Sequence, residues 1–164
     1  MMINSIKHDE FNEKLLTLIT STPINSSSSS SPMDASFTNL FTLVSHYINF
    51  NHYFLLQTPE LTDKYFILCS DVIIPDTPTV LFPESFSNNE MVDLNNNIKF
   101  KKYDSQQVFF GNCKANSVAL IHVSDSINLV LFDVDENLLK DDESRFMFTH
   151  LQSAILLIYK MHEV

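Results

Sequence analysis

Two adjacent apolar runs limit what this chain can fold into. VALIHV (118–123) and INLVLFDV (127–134) are largely apolar at both alternating sets of positions, and only Ser124, Asp125 and Ser126 stand between them. A strand that avoids water on both faces belongs in the middle of a sheet. The intervening triplet carries turn chemistry, so the two runs are expected to pair as neighbours. An acidic connection follows, and then Met147, Leu151, Ala154, Ile158 and Met161 recur at helical spacing. The spacing predicts a long closing helix from about Asp142, with Asp141, Asp142 and Glu143 placed to complement its dipole.

The upstream sequence supplies what pairs with or covers this unit. In residues 9–20, Phe11, Leu15, Leu18 and Ile19 form one helical stripe, with Asp9 and Glu10 where they favour a helix N-terminus. STPINSSSSSSP follows, a Ser-rich tract that buries nothing and reads as a tether. A second helix is expected from about Asp34, a fitting N-cap, to Ile48, with Phe37, Leu40, Phe41 and Val44 on its apolar stripe. HYFLLQT and KYFILCSDVII read as two strands of a meander joined by PELTD. Pro75, Pro78 and Pro83 limit VLF (80–82) to a short edge strand. Residues 84–97 are polar and Asn-rich, mainly loop with room for one helical turn around Met91 and Leu94. Strands resume with IKFKKY (98–103) and, after a turn at Asp104 and Ser105, QQVFFGNC (106–113), where Gly111 suggests a bulge.

The expected architecture is therefore α/β in two layers. An antiparallel sheet of about five strands carries a helix from the N-terminal half and the long C-terminal helix. Residues 1–20 form a helical segment, 21–32 a linker and 33–164 a single α/β domain.

Composition excludes several function classes. There is one glycine in 164 residues, and Gly-rich phosphate loops, dinucleotide fingerprints and nucleophile elbows cannot be built without them. Ten Lys and Arg against twenty Asp and Glu give a formal charge of -10, which opposes nucleic-acid phosphates and anionic lipid. Cys69 and Cys113 each lie in an apolar, strand-like segment and are expected as buried thiols in a reducing compartment. No apolar run reaches the length of a membrane span, and no signal-peptide core opens the chain. A cytoplasmic protein is expected. Without Gly at position two or a C-terminal Cys for a lipid, its membrane contact would come through partners.

Candidate chemistry centres on LVLFDVDEN (129–137). An apolar strand ending in Asp-x-Asp resembles the first motif of haloacid-dehalogenase-type phosphatases. The resemblance would make Asp133 the nucleophile and Asp135 the acid/base beside Mg²⁺. Glu136 and Asn137 stand where that family has Gly-Thr, and one helix remains downstream for its other ligands. The competing reading is the solvated end of a strand. The run Asp133, Asp135, Glu136, Asp141, Asp142, Glu143 lacks the spacing of a calcium loop and reads as a negative patch. The six histidines show no HxH or HExxH spacing, so no metal or other cofactor is expected. His122 is expected as a hydrogen-bonded core or interface histidine, with a Cys113–His122 nucleophile pair as the chemical alternative. Lys99, Lys101 and Lys102 beside Phe100 and Tyr103 read as strand-edge charges that deter aggregation.

The closing helix carries more apolar surface than one sheet face can cover. Phe146 and Leu157 widen one flank, while Leu156 falls among Gln152 and Lys160. Either a partner chain or the helix of residues 9–20 covers the excess. Phe146, Leu156, Leu157 and Tyr159 are the candidate partner interface.

NNIKFKKY, VALIHVSDSINLVLFDV and THLQSAILLIYKMHEV together resemble the C-terminal half of roadblock/LC7 proteins over about residues 97–162. The likeness is to the small Ragulator- or EGO-like scaffold subunits that anchor Rag-type GTPases on lysosomes or vacuoles. It rests on three consecutive strands before a final helix. It implies a non-enzymatic scaffold or adaptor in a hetero-oligomer with similar small α/β subunits and GTPases, peripheral on an endomembrane and acting in nutrient signalling. That fold has a helix between its second and third strands, where this chain offers residues 84–97. It also tends to a glycine turn between its first two strands, which is missing here. A longin-type trafficking adaptor is built from similar parts.

Overall fold

Ile127–Phe132 forms the middle strand of a seven-stranded antiparallel sheet, as its two apolar faces require. A computed structural model of the chain describes residues 2–21, 32–57, 64–72, 79–81, 92–95, 97–108 and 113–161. They divide into one unit of residues 49–139 and another that joins residues 1–48 to residues 140–164.

The first unit is the sheet. Its strands are β1 His52–Gln57, β2 Lys64–Ser70, β3 Thr79–Leu81, β4 Val92–Asn95, β5 Ile98–Val108, β6 Lys114–His122 and β7 Ile127–Phe132, in the order β3-β2-β1-β7-β6-β5-β4. Of the five longer strands, β1 and β2 are the expected meander, β5, β6 and β7 pair in succession, and the pairing of β1 with β7 joins the two runs, while β3 and β4 are short additions at the two edges. β7 pairs with β1 through Phe54↔Val130 and with β6 through Leu120↔Val130. Leu129, Val130, Leu131 and Phe132 are all fully buried. On one face Phe54, Leu56, Val118, Val130 and Phe132 cluster with Cys113, and Phe54 meets Phe132 edge-on at 5.8 Å between ring centroids.

Three expectations for this unit change. β4 occupies part of the stretch read as loop or helical turn, because Val92 and Leu94 alternate with polar neighbours and pair onto β5 through Val92↔Phe100. Asp104 and Ser105 do not make a turn: β5 runs through them and absorbs the surplus between Lys102↔Ser117 and Gln107↔Ala115 as a register shift. His122 is the exposed last residue of β6, not a core histidine. PELTD, the three prolines and Gly111 lie outside the described residues. A short helix, α3 Glu136–Lys140, follows β7 inside the acidic connection, with Leu139 fully buried.

The second unit contains three mutually packed helices, α1 Met2–Ser21, α2 Pro32–Val44 and α4 Asp142–Met161. α2 buries the expected stripe, with Phe37, Leu40, Phe41 and Val44 at 1% exposure or less. It starts at Pro32 rather than at Asp34, because Pro lacks the amide hydrogen that a first helical position does not need. The chain tightens just after it, where Tyr47 N–H donates to the Val44 carbonyl at 3.0 Å, three residues back. α1 begins well before residue 9, so Asp9 and Glu10 sit within the helix instead of at its N-terminus. Glu10 instead pairs with Lys14 at 3.2 Å, one turn on. Lys14 also lies over the Tyr47 ring at 5.8 Å, and hydrogen bonds with Tyr47 and then Glu10 raise its pKa above the ordinary value. Phe11 and Leu15 are buried, and Phe11 meets Tyr47 edge-on at 5.2 Å.

Phe132→Ala should lower unfolding free energy by about 3–5 kcal/mol, since it empties a fully buried aromatic site, whereas Leu157→Ala should cost under about 1 kcal/mol. Urea denaturation of the two variants checks the contrast. Equal midpoints would mean that β7 is not the packed centre.

Candidate functional site

Asp133 follows β7 with φ 61°, the left-handed region that Asp tolerates better than most residues. That turn aims its carboxylate back across the sheet. Oδ1 accepts from the backbone N–H groups of Asn116 at 2.8 Å and Ser117 at 3.1 Å, and Oδ2 accepts from the Asn51 side-chain amide at 2.6 Å. The backbone completes the clasp. Asp133 N–H donates to the Ser117 carbonyl at 3.0 Å, and Asn51 N–H to the Phe132 carbonyl at 2.9 Å. One half-buried carboxylate thus ties β6 and the segment leading into β1 to the end of β7. Asp133 is therefore more than the solvated end of a strand, while Asp135 is exposed as that reading expects.

Its neighbours have local partners too. Asp135 caps α3, accepting from Asn137 N–H at 3.0 Å through its side chain and from Leu139 N–H at 3.2 Å through its carbonyl. Asp141 caps α4: its carboxylate accepts from the Ser144 hydroxyl at 3.3 Å and its carbonyl from Arg145 N–H at 3.0 Å. Asp142 pairs with Arg145 at 3.1 Å on the surface, where such pairs contribute little. Among the described residues, no group of three or more His, Cys, Asp and Glu side chains is placed to hold a metal ion.

A second clasp went unread in the sequence. Asp71, just after β2, accepts from Tyr53 N–H at 3.1 Å through Oδ1 and contacts His52 Nδ1 at 3.2 Å through Oδ2. Two carboxylates from distant parts of the chain therefore hold the start of β1. Their only sequence signal is an Asp directly after an apolar strand.

The Cys113–His122 pair does not form. The residues lie at opposite ends of β6, about 30 Å apart along an extended strand. Neither cysteine is in a disulfide, and both are buried. Burial, and then the nearby Asp71 charge, push the Cys113 thiol above its ordinary pKa, the opposite of what activates a nucleophile.

The candidate interface residues separate into two sets. Phe146 and Leu157 are 56% and 46% exposed, whereas Leu156 and Tyr159 are half-buried. Phe146, His150, Ser153 and Leu157 follow at the spacing that keeps side chains on one helix face, which Leu156 and Tyr159 do not share. α1 packs beside that face, and the two helices leave a groove of about 310 Å³. Leu15, Leu16 and Ile19 line it from α1, and Ala154 and Leu157 from α4. Leu16 stays 64% exposed. The N-terminal helix therefore covers part of the apolar excess of α4 and adds an exposed leucine of its own. Among the described residues, no helix is long and apolar enough to cross a membrane.

Asp133→Ala should cost about 2–3 kcal/mol of stability, because it strands two backbone donors and an amide, while loss of the Asp135 cap should cost about 1 kcal/mol. Chemical denaturation of the two alanine variants tests this, and an Asp133→Ala chain of wild-type stability would disprove the clasp. Cys113 should resist iodoacetamide in the folded chain and react on unfolding. Stability should not depend on this thiol below the ordinary pKa of about 8.5, then fall as pH rises from there through the higher folded value. Cys113→Ala should remove that decline, as urea midpoints taken across alkaline pH would show.

No family model, no curated protein and no solved structure matches this chain.

Proposed function

We propose that this chain is a non-enzymatic scaffold or adaptor subunit that works by docking other proteins. The observation that carries the reading is a set of large apolar side chains left exposed on the helical unit. Leu16, Phe146 and Leu157 are all more than two-fifths exposed, and large side chains in that state beside a groove mark a contact surface. The acidic residues that suggested phosphatase chemistry support it from the other side. Asp133 holds strands together and Asp135 caps a helix.

The finer form of the proposal is a roadblock-type platform that binds small GTPases at the vacuole or lysosome in nutrient signalling. Its support is the order of elements. The consecutive antiparallel strands β5, β6 and β7 precede the long helix α4, the pattern on which the resemblance rests. Between β2 and β5 the described residues are two short strands rather than that family's helix.

Affinity purification of the tagged chain from its native cell, with mass spectrometry, is the test. Stoichiometric recovery of Rag-type GTPases and other small α/β subunits is expected, and Leu157→Asp should reduce it roughly tenfold or more without changing the unfolding midpoint. Vesicle tethers or coat subunits in their place would establish the longin-type reading. A lone monomer would overturn both.

A further inference from the structure

The groove between α1 and α4 has a chemistry that selects its occupant. Its lining is mainly apolar, with Leu15, Leu16 and Ile19 facing Ala154 and Leu157, and Asn12, His150 and Ser153 complete it. Phe146 lies on the same face of α4 about three helical turns, about 16 Å, toward its N-terminus, with His150 and Ser153 between it and Leu157. Two helices side by side with an unfilled groove offer the seat into which the apolar face of a third helix fits.

Charge decides which helix. Asp9, Glu10 and Glu13 are all exposed on α1. Asp9 and Glu13 precede Leu16 by two turns and one turn, so they lie along the outer flank of the groove. Lys14 is on the far side of that helix, engaged by Glu10 and the Tyr47 ring. The chain as a whole carries a formal charge of -10. A second copy seated on this face would set acid against acid, whereas a helix with Lys or Arg beside its apolar stripe would meet both the groove and its flank.

We propose that the α1–α4 groove binds a basic amphipathic helix of a partner protein, with apolar anchors at i, i+3/i+4 and i+7. This rests on the docking function proposed above and names the class of partner for this one surface.

The test uses the full chain and a fluorescein-labelled helical model peptide of Leu and Lys, with an otherwise identical peptide of Leu and Glu, read by fluorescence anisotropy. The Leu/Lys peptide should bind saturably at one site, and the Leu/Glu peptide should not. Leu16→Gln with Leu157→Gln should weaken binding roughly tenfold or more, and Asp9→Asn with Glu13→Gln by a few-fold. All four positions are exposed, so these variants should fold, and circular dichroism verifies it. Should the double glutamine variant lose helix, Phe146→Gln takes its place.

Equal binding to the glutamine variant would reduce the effect to charge adsorption and overturn the proposal. So would equal binding of the Leu/Glu peptide, the absence of any binding, or a homodimer that the glutamine substitutions dissolve. If the glutamine variant still retains the wild-type chain's GTPases and small subunits in the purification above, the groove is not their seat while the scaffold reading stands.

Discussion

Every other strand of the sheet takes its place from β7, and β7 presents a register problem. In most half-buried strands a slip of one residue moves apolar side chains into water, which fixes the pairing. In β7 both faces are buried, with Leu129 and Leu131 on one and Val130 and Phe132 on the other, so hydrophobicity hardly distinguishes the two registers. Polar devices at the strand's ends must do it. At one end Val123 and Ser124 donate to the Ile127 carbonyl at 3.0 Å and close the turn from β6. At the other, Asp133 grips the amides of Asn116 and Ser117.

Scarcity of glycine explains why acidic side chains carry so much of this burden. Left-handed backbone is usually supplied by glycine, and this chain has one. Asp133 takes the left-handed conformation and also supplies acceptor atoms that a glycine would lack. Asp71 steadies β1, and Asp135 and Asp141 begin helices. The chain's negative charge thus serves partly as backbone hydrogen bonding.

On the helical unit some apolar side chains build the core and others stay at the surface. α4 turns Leu151, Ile155 and Ile158 inward, all fully buried, and keeps Phe146 and Leu157 at the surface. α1 buries Phe11 and Leu15 yet leaves Leu16 outside. The inner stripe is complete without these exposed residues, which therefore add little to the fold.

The apolar patterns by themselves determined the α/β class, the pairing of β1 with β2, the central place of β6 and β7, the buried stripe of α2 and the start of α4, whereas the pairing of β1 with β7 is tertiary. Each follows from local periodicity, which burial enforces residue by residue. Helix and strand limits were less legible where local signals conflicted: Asp34 resembled a cap, Asp104 and Ser105 a turn, and Val92 to Leu94 a loop. Tertiary structure alone decided what the acids do, because the Asn51–Asp133 and Tyr53–Asp71 contacts join residues far apart in sequence. It also set Leu157, from one side of the candidate interface, beside α1. Helical spacing states which side chains share a face, but only packing against a second helix determines which face remains in water.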